Sequence, residues 1–139
     1  MSSYFDGNKS VSRRQPTTST LVARPAMAQS QTEMNQQATS KFKKQDKELN
    51  KVYKQILNEY SADTVFIKTL KYSQKIWIRF RDAEVKMRYP EIDYAGTATL
   101  MCQAQLMEEI TKARIKTLKV WLTGIIEGDV CSGTVKVKN

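Results

Sequence analysis

With 139 residues the chain has room for one hydrophobic core and no more. Its 23 Lys and Arg against 14 Asp and Glu give a formal charge of +9, and it has no histidine, which removes the commonest general base and metal ligand and with it most hydrolase triads and zinc sites. No run approaches the roughly 20 apolar residues that span a bilayer, so a soluble chain without a transmembrane segment is expected.

Residues 1–29 are rich in Ser, Thr, Gln and Pro without hydrophobic periodicity, and read as a disordered leader. Ala26-Met-Ala28 before Gln29 looks like a small-residue cleavage site, with Arg13 and Arg14 upstream as a basic region. The apolar segment that belongs between them is missing, so the leader reads as a polar tail or as the remnant of an export signal. Four basic residues (Lys9, Arg13, Arg14, Arg24) and one acid (Asp6) lie here, which leaves +6 on the rest of the chain.

Ser30 and Glu33 form an S-x-x-E capping pattern ahead of Met34, Ala38, Phe42, Leu49, Val52, Tyr53, Ile56 and Tyr60. Their spacing predicts a first helix that breaks near Ser61. Asp63 opens a second, with Phe66, Leu70, Ser73, Trp77, Phe80 and Glu84 on its inner face, and Pro90 stops it at or before Tyr89. After a loop, a third helix from about Thr97 to Leu122 carries Leu100, Met107, Ile110, Leu118 and Trp121 inward, until Gly124 and Gly128 unravel it. The tail Thr134-Val-Lys-Val-Lys alternates like a short strand but has no obvious partner. The fold class is all-α: an elongated antiparallel three-helix bundle over 30–123, between the leader and a tail at 124–139.

Basic residues line up on each helix at about 100° per residue: Lys43, Lys47, Lys51 and Lys54; Lys68, Lys75, Arg79 and Lys86; Lys112, Lys116 and Lys119. Each row lies opposite an apolar face, as on an ordinary solvated surface. A nucleic-acid surface would interleave exposed aromatics or Asn and Gln readers, and these are sparse, so nucleic acid is not expected. Arg81 and Arg114 fall instead on the apolar side of their helices, as does Glu84. A buried guanidinium costs several kcal/mol unless paired, so both arginines are expected in a structural polar network with Glu84, Asp46 or Asp82, or with amides such as Asn35 or Asn50.

Two cysteines, Cys102 and Cys131, are too few for a metal cage. The third helix separates them by roughly 30 Å, and the tail spans that distance only if it runs straight back, so free thiols and a single disulfide are both open. The Tyr89 to Thr97 loop gathers Tyr89, Glu91, Asp93 and Tyr94 on a connection between rigid helices, where binding residues often sit. It is the candidate partner contact, with a solvated turn as the plain alternative.

Together Gln31-Thr-Glu-Met-Asn35, Asp46-x-Glu-Leu-Asn-x-x-Tyr53, Gln74-x-x-Trp-Ile-x-x-Arg-Asp82 and Thr111-x-x-Arg114 with Leu118 resemble the LprI-type, lysozyme-inhibitor-like family, from about Gln29 to Leu122. The resemblance implies a small helical bacterial protein, exported to the periplasm or another extracytoplasmic space, that binds a protein partner and performs no catalysis. Relatives of this type usually carry cysteines where this chain has Gln37 and Val85. A lysozyme-like or other cell-wall hydrolase is the implied partner, in an inhibitory or immunity role, with no cofactor and no small-molecule substrate. Like-charge repulsion with a basic lysozyme favours an acidic or neutral target. The alternative is a basic helical module that binds polyanions or the anionic cell surface.

Overall fold

The computed structural model describes residues 2–90 and 98–138, with side chains from Ser30 onward. Three helices run up, down and up: α1 (Ser2–Glu59), α2 (Thr64–Arg88) and α3 (Ala98–Thr123). The backbone of residues 2–29 continues α1, which differs from the disordered leader expected there; the side chains of these residues lie outside the described set. α1 as a backbone element starts upstream of Ser30, so Ser30 is not its N-cap. The other ends follow local chemistry. The Asp63 carboxylate accepts the Phe66 N–H at 3.0 Å and caps α2. Tyr89 donates the last helical bond to the Val85 carbonyl, and Pro90, which has no N–H, follows.

Each helix turns a seam with alternating steps of three and four toward the bundle axis, the spacing that keeps one face toward a neighbouring helix. On α1 the seam is Asn35, Ala38, Phe42, Gln45, Leu49, Val52 and Ile56; on α3 it is Ala104, Met107, Thr111, Arg114, Leu118 and Trp121, all buried or half-buried. Small residues (Ala38, Ala104, Thr111) let α1 and α3 approach closely, and these two form the tightest pair. The seam of α2, Leu70, Gln74, Trp77 and Arg81, is made of long side chains, which hold its backbone farther off. Leu49, Val52, Ile56, Leu70, Ile115 and Leu118 form the apolar core.

Beyond this core, Tyr60, Phe66 and Trp121 close one end of the bundle. Phe66 lies 4.7 Å from both partner rings, Tyr60 meets Trp121 edge-on at 6.1 Å, and the Tyr60 hydroxyl donates to the Trp121 carbonyl at 2.7 Å. Such buried aromatic contacts add to area burial when the polar tip also finds a partner.

Three inward assignments need correction. Phe80 is 53% exposed, and Met34 and Ser73 also face solvent. The physical reason is the seam's pitch: Asn35, Gln74 and Arg81 occupy the inward positions beside them, so each neighbour is rotated outward by about 100°. The tail also differs from the expectation of an unpartnered strand. It folds onto the residues just after α3, where Ile125 pairs in parallel with Val137 through bonds of 2.9 and 2.8 Å, and Lys136 reaches Glu59 at 2.6 Å. Gly124 makes this possible at φ +78°; a Cβ there would stand 2.9 Å from the Lys136 carbonyl oxygen.

Two stability predictions follow from this packing. Thr111 is fully buried and its hydroxyl has no hydrogen-bond partner, so Thr111→Val removes an unsatisfied polar atom and should raise unfolding stability by about 1 kcal/mol. A lower urea midpoint for the variant would contradict this. Gly124→Ala combines a strained φ with a backbone clash, and is expected to cost about 1–3 kcal/mol, measured as a lower thermal midpoint.

Candidate functional site

The expected polar network forms around Trp77: Arg81 meets Asp46 and Asp82, two of the expected carboxylates, whereas Arg114 meets an amide other than those named. The Arg81 guanidinium, with its side chain only 11% exposed, lies 5.1 Å from the Trp77 ring and 5.7 Å from Phe42. Its Nε donates to Asp82 at 3.1 Å and its NH1 group to Asp46 at 3.4 Å. Both carboxylates remain well solvated, at 58% and 43% exposure, so these ion pairs are of the weak, screened kind.

Among the described residues Arg114 meets no carboxylate. Its Nε donates to the buried Gln74 Oε1 at 3.0 Å, its NH2 group to the Ser73 hydroxyl at 3.1 Å, and its guanidinium lies 5.8 Å from the same Trp77 ring. Burial pushes the Arg114 pKa below the usual arginine value. The sign is unfavourable: a base with a depressed folded-state pKa is still charged at neutral pH, so the folded state carries the desolvation cost throughout the ordinary pH range. Neutral acceptors and the indole offset it.

Three other residues assigned to this network stand apart from it. Asn35 is buried but accepts from Gln31 at 3.0 Å, near the opposite end of the seam. Asn50 is exposed on the basic side of α1, between Lys47, Lys51 and Lys54. Glu84 is half-buried and makes no ion pair with either arginine. The sequence reading missed Gln74 as a partner of Arg114; its spacing of four from Leu70 and three from Trp77 was the one available signal. Cys102 and Cys131 are free, because the tail pairs at Ile125 instead of running back along α3 toward Cys102.

A cleft opens at the end of the bundle opposite the aromatic cluster. It encloses about 430 Å³, and all three helices contribute to it: Thr39 and Phe42 from α1, Asp82, Val85 and Lys86 from α2, and Leu100, Gln103, Ala104 and Met107 from α3, with Tyr89 and Pro90 at its edge. Ala104 leaves the space that a larger seam residue would fill. The lining is largely apolar, with Thr39, Asp82, Lys86 and Gln103 among its polar groups, so it suits an apolar side chain of a partner better than a charged metabolite. Of the candidate contact residues, Tyr89 is therefore part of a built concavity. Glu91, Asp93 and Tyr94 lie outside the described residues.

Among the described residues there is no cluster of three or more His, Cys, Asp or Glu that could hold a metal ion, and no helix long and apolar enough to cross a membrane. The family model described as lysozyme inhibitor LprI matches residues 23–118. No curated protein and no solved structure matches the chain.

The Arg114 geometry makes a coupling prediction. Arg114→Met strands the Gln74 acceptor and should cost about 1–3 kcal/mol, whereas removing both polar partners in Arg114→Met/Gln74→Leu should restore most of it. Denaturant unfolding of the two variants checks this, and a double variant no more stable than the single one would contradict it.

Proposed function

The chain belongs to the LprI family of lysozyme inhibitors, and on that premise we propose that it is an exported, non-enzymatic binding protein that inhibits a cell-wall hydrolase through the cleft edged by Tyr89. The observation that carries this reading is the apolar concavity itself: Phe42, Val85, Leu100 and Met107 form its wall on three rigid helices, the type of site in which a single anchoring side chain of a partner is desolvated. Rigid walls lose little conformational entropy on binding.

Charge narrows the partner. At +9, the protein is repelled by a strongly basic lysozyme at a distance, which slows encounter. An acidic or neutral muramidase, including one delivered by a competing bacterium against which this protein would confer immunity, is the better match. The extracytoplasmic location belongs to the same proposal, because that is where such a target acts.

The test is a turbidity assay of wall lysis across basic, neutral and acidic hydrolases, with wild type, Tyr89→Ala and Leu100→Ala/Met107→Ala. Inhibition of an acidic or neutral enzyme is expected, with the inhibition constant raised at least tenfold in the cleft variants (about 1.4 kcal/mol) while helicity is retained. Unchanged inhibition in folded cleft variants would remove the cleft from the proposal, and no inhibition across the panel would remove the proposal itself.

A further inference from the structure

α2 is apolar on two faces, and only one of them is covered. Val65, Tyr72, Ile76, Phe80 and Met87 are all exposed, and at 100° per residue they fall within an arc of about 80° on the side facing away from the core. Alongside them run Lys68, Lys75, Arg79 and Lys86, also exposed. The two acids of α2 lie outside this arc: Asp82 is engaged with Arg81, and Glu84 is half-buried. The solvent half of this 25-residue helix, about 37 Å long, therefore carries an apolar row and four basic side chains, with Asp82, paired to Arg81, as the one acid at the far border of the basic row.

We propose that this outer face of α2 docks on a bilayer surface containing anionic lipid, with the apolar row entering the headgroup boundary and the basic row against the phosphates. Charge complementarity selects this occupant. A helix with apolar residues on one side and Lys and Arg beside them binds in the interface plane of anionic membranes, and each basic residue near such a surface adds attraction. The long Lys and Arg stems can extend their charges to the headgroups while the shorter apolar residues lie deeper.

Shape points the same way. Val65, Tyr72, Ile76, Phe80 and Met87 share an exposed arc of one helical cylinder, so the face is a convex ridge. A protein partner would need a matching groove, whereas a bilayer deforms around a ridge. A second copy laid antiparallel along the stripe would set basic row against basic row, which opposes association.

Co-sedimentation of the full chain with vesicles tests the proposal. Phosphatidylcholine vesicles containing 30 mol% phosphatidylglycerol should bind at least tenfold more protein than pure phosphatidylcholine. Ile76→Ser/Phe80→Ser, at exposed sites with the α2 helix checked by circular dichroism, should lower binding at least tenfold. Lys75→Gln/Arg79→Gln should reduce the preference for anionic vesicles, and 0.5 M NaCl should do the same. Absence of binding to the anionic vesicles, or equal binding by the two apolar-face serines, would overturn it. So would a dimer in sedimentation velocity that the serine variant converts to monomer without any vesicle binding, which would assign the face to a second copy.

Discussion

Two guanidinium groups, from Arg81 and Arg114, lie over the Trp77 indole midway along the bundle. A charge taken from water must be offset locally, so this layer has to bring Asp46, Asp82, Gln74 and Ser73 to defined positions. Sliding α2 by one turn would take Gln74 and Ser73 away from Arg114 and move Arg81 away from Asp46. The layer therefore fixes register more than it adds stability, since its ion pairs are partly solvated and its long side chains hold α2 off the close α1–α3 pair. The ends can then differ: apolar packing and three aromatic rings close one end, and the other opens into a cleft.

Helix boundaries were legible in the sequence because they depend on local chemistry. Asp63 as a cap, Pro90 as a stop and Gly124 in a positive-φ turn each act through the residue's own backbone or side chain. Faces were less legible. Periodicity on α2 fits two apolar sides, Leu70 and Trp77 on one and Tyr72, Ile76 and Phe80 on the other, and a hydropathy pattern cannot say which of them another helix will cover. The sequence placed both Arg81 and Phe80 inside, yet adjacent residues are about 100° apart on a helix, and it is Arg81 that is buried while Phe80 faces solvent.

The candidate site was legible only as a neighbourhood. Tyr89 stands at the edge of the cleft, but the cleft exists because Ala104 is small where Phe42, Val85, Leu100 and Met107 converge. A void is set by what is missing at a three-helix junction, and no single helix's pattern encodes it. The network partners of Arg114 were hidden for a related reason. Gln74 reads as a surface residue until the α3 guanidinium is placed 3.0 Å from it.

The cleft and the outer face of α2 lie on different sides of one helix and meet at Lys86, which lines the cleft and stands in the basic row. Val85 lines the cleft, whereas Met87, two residues on, is exposed on the outer stripe, a rotation of about 160° at helical pitch. A protein resting on its α2 stripe would therefore keep the cleft open to solution. The two proposed contacts also respond differently to salt. Docking of a basic row on anionic lipid rests on long-range charge and weakens as ionic strength rises. Anchoring of an apolar side chain in the cleft rests on area removed from water, which salt does not screen. Lys86 is the residue the two surfaces share, and the rest of the cleft wall stays clear of the stripe, so a cell-envelope binder could be held at the membrane through its charge while its target is selected by the shape and polarity of the cleft.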